Sequence, residues 1–175
     1  MLRTIEARRI LTIAAALAAI ATPAGIQAQE TAGQDSEGGL FAGIGLGMGV
    51  MDCFNSYGCY RVLAGNLRLG SRLSPHVAIA VGVEAFGAED VGAALISAQV
   101  LYYPTGGDMF VLAGAGAAFA NWNSPGMGFT FGVGYDIPLN KRATVALTPY
   151  AGVVLTTVDD PDWQFMYAGL SITWK

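Results

Sequence analysis

The chain has 175 residues, enough for one domain of ordinary size, of which 53% are hydrophobic and only 13% charged. A soluble domain carries roughly 25% charged residues, so this composition argues against a surface that faces water all round. The 24 glycines argue against long helices, because glycine in a helix interior costs about 1 kcal/mol relative to alanine. The formal net charge is -4, and beyond residue 28 six basic against twelve acidic side chains leave about −6, a balance unsuited to nucleic acid.

At the start of the chain, Arg3, Arg8 and Arg9 precede an apolar run from Ile10 to Ile20. Pro23 and Gly25 break the run, and Ile26-Gln27-Ala28 offers a small residue before a cut. Residues 1–28 therefore read as a secretory signal peptide. The apolar run is short for a membrane helix, which needs about 20 apolar residues. Residues 29–38 are polar and read as a flexible tail.

From Leu40 to Val50, large apolar residues alternate with Gly43, Gly45, Gly47 and Gly49. A strand sends successive side chains to opposite faces, so one face is greasy and the other nearly bare. This predicts a first strand over 39–51. Next come Cys53 and Cys59, the only cysteines. Export places them in an oxidising compartment, where such a pair is expected to form a disulfide. No histidine lies nearby to complete a metal site, and Cys-x-x-Cys spacing is absent. No metal or cofactor is expected.

Turn signals then divide the chain into further strands over 60–72, 76–86, 92–103, 109–120, 127–137, 143–157 and 163–174. Strand three sets Val77, Ile79, Val81 and Val83 against Ala78, Ala80, Gly82 and Glu84. Strand six sets Phe129, Phe131 and Val133 against Gly128, Thr130 and Gly132, and strand eight sets Leu170, Ile172 and Trp174 against Gly169, Ser171 and Thr173. Strand five is too uniform to orient. Eight strands of this length suit tilted membrane crossings, and an even number suits closure. The predicted fold over 39–175 is all-β: a closed antiparallel eight-stranded up-and-down transmembrane β-barrel. Two aromatic girdles are expected, with Tyr102, Tyr103, Phe110, Tyr135 and Trp174 on one rim and Tyr60, Phe86, Trp122 and Trp163 on the other.

The ending Gly169-Leu-Ser-Ile-Thr-Trp174 resembles the terminal strand of outer-membrane β-barrels: glycine, two spacers, an apolar residue, a spacer, an aromatic. Leu69-Gly-Ser-Arg-Leu-Ser-Pro-His76, Gly132-Val-Gly-Tyr-Asp-Ile-Pro138 and Leu147-Thr-Pro-Tyr150 resemble the same group, the small outer-membrane barrels of Gram-negative-type bacteria. The resemblance implies that location. It also implies an assembly signal at Gly169, Ile172 and Trp174 read by the barrel-assembly machinery. Lys175 departs from the pattern, in which the aromatic comes last.

Asn66, Arg68, Arg72, Glu84, Gln99 and Asp136 alternate to the inner side. They read as a satisfied polar interior, with Arg68 and Glu84 on neighbouring strands able to pair, or as the lining of a narrow pore. His76, the only histidine, sits at a tight turn without the nucleophile and acid of a catalytic triad nearby, so no catalytic residue is assigned. Asp52, Glu89, Asp90, Asp159, Asp160 and Asp162 fall in loops placed outside and read as solvated acidic surface, with cation bridges to lipopolysaccharide as the alternative. The functional expectation is a monomeric, non-enzymatic barrel for envelope integrity or surface contact, with membrane lipids and lipopolysaccharide as partners. The alternatives are a narrow pore or carrier using the Gly-lined face and, further off, a lipid-modifying barrel enzyme.

Overall fold

The computed structural model describes residues 39–51, 60–88, 92–120, 124–158 and 163–175. The expected leader, the tail and the Cys53/Cys59 pair lie outside the described residues.

Alternation of large and small residues produces the strands β1 (Leu40–Met51), β2 (Tyr60–Arg72), β3 (Val77–Gly87), β4 (Gly92–Tyr102), β5 (Met109–Ala120), β6 (Ser124–Tyr135), β7 (Ile137–Pro138), β8 (Val145–Thr156) and β9 (Gln164–Trp174). Neighbours pair antiparallel in chain order, β6 continues onto β8, and β1 pairs with β9 to shut the sheet. The short β7 is the end of β6: the register runs on from Gly134↔Tyr150 to Ile137↔Leu147 across Asp136. The result is a barrel of eight staves with no open edge, the only form in which a sheet can be surrounded by hydrocarbon.

The stagger of the staves follows from the register. Starting at Phe41, successive partners are Gly70, Ala80, Gln99, Gly114, Thr130, Val154 and Phe165, and the path re-enters β1 at Met51, ten residues further on. Closure with such a shear tilts the strands, typically by roughly 35–45° from the barrel axis. It also defines the two faces, because directly opposed residues point the same way.

Outward stand Leu46, Met48, Leu69, Val81 and Leu170, each more than half exposed. Inward stand the glycines of β1 and, facing other glycines, the large side chains. A Cβ at Gly134 would lie 2.8 Å from Cε1 of Phe110, one at Gly70 2.6 Å from Cζ of Phe41, and one at Gly128 2.6 Å from Cδ1 of Leu95. The same holds for Gly169 under the Tyr150 hydroxyl (2.7 Å) and Gly152 under that of Tyr167 (2.9 Å). Each of these five positions is thus a socket for a bulky residue from another stave, whereas the β1 glycines lie against Thr173, Ser171, Asn66 and the β9 backbone. β5 is oriented by the same rule: Phe110, Leu112, Gly114 and Gly116 face in, while Val111, Ala113, Ala115 and Ala117 face out.

The expected girdles are corrected. Tyr102, Tyr135 and Trp174 do stand outward at one end. Tyr103, Phe110 and Phe86 are buried inside, and Trp163 packs against the interior cluster. Phe86 shares its face with Glu84, so alternation turns it inward whatever its position along the strand.

Three turns close the end that carries Leu40 and Trp174, called the turn end below. At residues 73–76 the Ser74 hydroxyl accepts the Val77 N–H (3.1 Å). At 103–108 the chain needs a positive φ, supplied by Gly106 (66°). At 139–144, Asn140 brackets Thr144, accepting its N–H (2.9 Å) and donating to its hydroxyl (2.7 Å). That turn forces Ala143 to φ 53°, a left-handed conformation that costs a residue with a Cβ about 1 kcal/mol.

Two predictions test this packing. Gly134→Leu drives a side chain into the Phe110 ring and lowers stability in detergent micelles by about 1–3 kcal/mol, read as a shifted urea midpoint, while outward Ala113→Val stays within about 0.5 kcal/mol. Ala143→Gly relieves the left-handed strain and raises the same midpoint by about 0.5–1 kcal/mol.

Candidate functional site

The lumen is the feature on which any transport or binding role depends, and it is stacked in tiers. At the end opposite the turns, Met51, Val62, Phe86, Leu95, Val154 and Phe165 belong to one apolar cluster. Its aromatics interlock: Phe86 stacks on Phe165 with centroids 4.3 Å apart, Tyr167 meets Phe86 edge-on at 5.3 Å, and Tyr150 meets Tyr167 at 5.8 Å. At the turn end a second cluster holds Phe41, Leu101, Tyr103, Phe110 and Leu112.

Between the clusters lies a polar tier. Glu84 is only 1% exposed. Gln99 donates from Nε2 to Glu84 Oε1 (2.7 Å) and accepts at Oε1 from Arg68 Nε (2.9 Å). Ser97 also donates to Glu84 (3.4 Å). The direct Arg68–Glu84 contact expected from neighbouring strands is therefore absent, because Gln99 stands between them as a relay. Gly82 makes this possible. Arg68 lies opposite Gly82, and the Gln99 amide occupies the space a side chain at that position would take. The Arg68 guanidinium also sits 5.7 Å from the Phe110 ring centroid, which ties the tier to the apolar cluster below.

The remaining inward residues are placed as follows. Asn66 is directly opposite Gly45 on one side and Glu84 on the other. Arg72 lies over the Tyr103 ring at 4.1 Å and donates to the Gly107 carbonyl (3.4 Å). Asp136, 2% exposed, accepts from the Thr148 hydroxyl (2.7 Å) and pairs with the Lys175 ammonium (2.8 Å). Thr148 in turn contacts the Thr173 hydroxyl (3.1 Å). Sequence reasoning missed Ser97, Thr148 and Lys175 as partners. Parity with Gln99 would have found Ser97. Nothing local links Lys175 to Asp136, which meet only because β9 and β7 flank β8.

On β9, Gly169 faces in beneath the Tyr150 hydroxyl, while Ile172 and Trp174 face out. His76 lies at a turn, where Nδ1 is 3.0 Å from the Tyr103 carbonyl oxygen. Among the described residues no carboxylate comes within ion-pair distance of that ring.

This architecture has solved counterparts. Neisserial surface protein A superposes with a TM-score of 0.57 at 15% identity, covering 80% of this chain and 99% of that one. Ail, the attachment invasion locus protein of Yersinia pestis, solved in complex with the heparin analogue sucrose octasulfate, gives 0.54 at 8% identity over 79% and 99%. The fold is that of the small eight-stranded outer-membrane β-barrels. No family model and no curated protein matches the chain.

The barrel's buried charges generate the next prediction. Lys175→Met strips the buried Asp136 of its cation and costs about 3 kcal/mol, the low end for breaking a buried pair, since Lys175 itself keeps 27% exposure. Gln99→Leu removes both relay bonds and costs at least about 2 kcal/mol. Unfolding midpoints of the two variants in the same detergent check both values.

Proposed function

We propose that this chain is a non-enzymatic, non-conducting barrel of the bacterial outer membrane, with a structural or surface-contact role in the envelope. The observation that carries the reading is the lumen, where two apolar clusters sit at either end of a polar tier whose charges are linked through the Gln99 amide. A pore or carrier would need an open lumen, and the two apolar clusters and the polar tier occupy it instead. An apolar outer wall supports membrane residence, and the likeness to Neisserial surface protein A and Ail supports the outer membrane in particular.

In this reading residues 1–28 direct export, and Gly169, Ile172 and Trp174 present the assembly signal to the barrel-assembly machinery. The turn end faces the periplasm, in keeping with the short periplasmic turns of such barrels. The other end contacts the outer leaflet and its lipopolysaccharide, and the barrel acts as a monomer.

Planar-bilayer recording tests the central part. Purified barrel shows no steady single-channel steps, and Phe86→Ala combined with Phe110→Ala, which thins both seals, produces them. Steady conductance by the unaltered protein would overturn the non-conducting reading. Absence of any heat-modifiable gel shift after outer-membrane extraction would count against the barrel itself.

A further inference from the structure

Among the described residues, the outward positions of the staves carry one charge. Arg61, close to the end of β2 remote from the turns, is exposed, and the other charged strand residues, Arg68, Arg72 and Glu84, face the lumen. Charges on the outer wall of a barrel are costly at the bilayer midplane, by roughly 2–4 kcal/mol, and cheap near the interface. Arg61 therefore marks headgroup level at that end.

Arg61 also borders a shallow recess of about 920 Å³ on the outer wall. Register explains its shape. Val50 lies opposite Arg61, and Met166 is opposite Val50. One row nearer the turn end, Ala168 and Ala151 face each other directly, with Met48 beside the first and Val133 beside the second. Two methyl groups ringed by longer side chains make a low floor, and the recess crosses from β2 through β1, β9, β8 and β6 to β5. A planar guanidinium at the rim suits a phosphate, which it can grip with two parallel N–H donors. The apolar trough beyond it suits acyl chains. Six strands abreast, at about 4.8 Å each, present more width than the two chains of a glycerophospholipid cover.

We propose that Arg61 and the Ala151/Ala168 recess hold one molecule of lipid A, with a phosphate on the guanidinium and acyl chains across the alanine floor. The inference rests on the reading above that this end of the barrel meets the outer leaflet.

Native mass spectrometry of the full barrel released from detergent micelles is the test, with three probes: lipid A, its dephosphorylated form, and phosphatidylglycerol. Lipid A is retained at least fivefold more than either other probe. Arg61→Gln lowers that retention at least fivefold, and so does Ala151→Leu with Ala168→Leu, which raises the floor. Equal retention by Arg61→Gln, or equal binding of phosphatidylglycerol, overturns the lipid A site. Loss with Arg61→Gln but not with the leucine pair overturns the recess as the acyl seat. Membrane fractionation of cells making each variant separates the two levels: a chain recovered with the outer membrane while these differences vanish refutes the site alone, and one recovered elsewhere refutes the outer-membrane reading with it.

Discussion

Eight staves and a ten-residue stagger enclose a lumen only as wide as the side chains that fill it. Bulky inward residues therefore lean over bare positions on neighbouring staves. Phe110 over Gly134, Phe41 over Gly70 and Leu95 over Gly128 are three instances of one rule. At Gly134 and Gly70 the bare position and the aromatic ring are one feature seen from two sides. Interiors pack as densely as organic crystals, so a methyl group added at a socket displaces its occupant. This complementarity, rather than any single contact, closes the bore.

The polar tier depends on the same constraint. Glu84 and Arg68 are separated by the Gln99 amide, which lies where a side chain on residue 82 would have been. An amide that donates to the carboxylate and accepts from the guanidinium satisfies both ions without forcing them into direct contact. Asp136 is met the same way, by a hydroxyl and an ammonium from two further staves. Gathering these charges inside lets the outer wall stay apolar. The exception at Arg61 lies near the barrel rim, where the electrostatic penalty is smallest.

Much of this was legible along the chain. Alternation in β1, β3 and β6 identified the strands, their faces and their number, since a period of two survives almost any tertiary context. Boundaries moved slightly: the sixth strand begins at Ser124 rather than residue 127, and the third ends at Gly87. β5 cannot be oriented from its sequence because alanine and glycine differ too little in hydrophobicity, and the burial of Phe110, Leu112 and Ala118 in the closed barrel fixes its face. The aromatic rim failed for another reason. Position along a strand suggests a rim, but parity sends Phe86 and Phe110 inside. The relay through Gln99 was illegible because the stagger sets which inward residues meet, and the stagger is a property of the closed barrel.

The sockets themselves are open to direct measurement. In solution NMR of the barrel in detergent micelles, an aromatic ring seated on a glycine shifts that glycine's Hα resonances upfield and gives cross-relaxation between ring and Hα. Seated rings predict both signals for Phe110 with Gly134 and for Phe41 with Gly70, and no water cross-peaks at those glycines. Unshifted Hα resonances with strong water cross-peaks would mean a hydrated bore and would contradict the filled lumen.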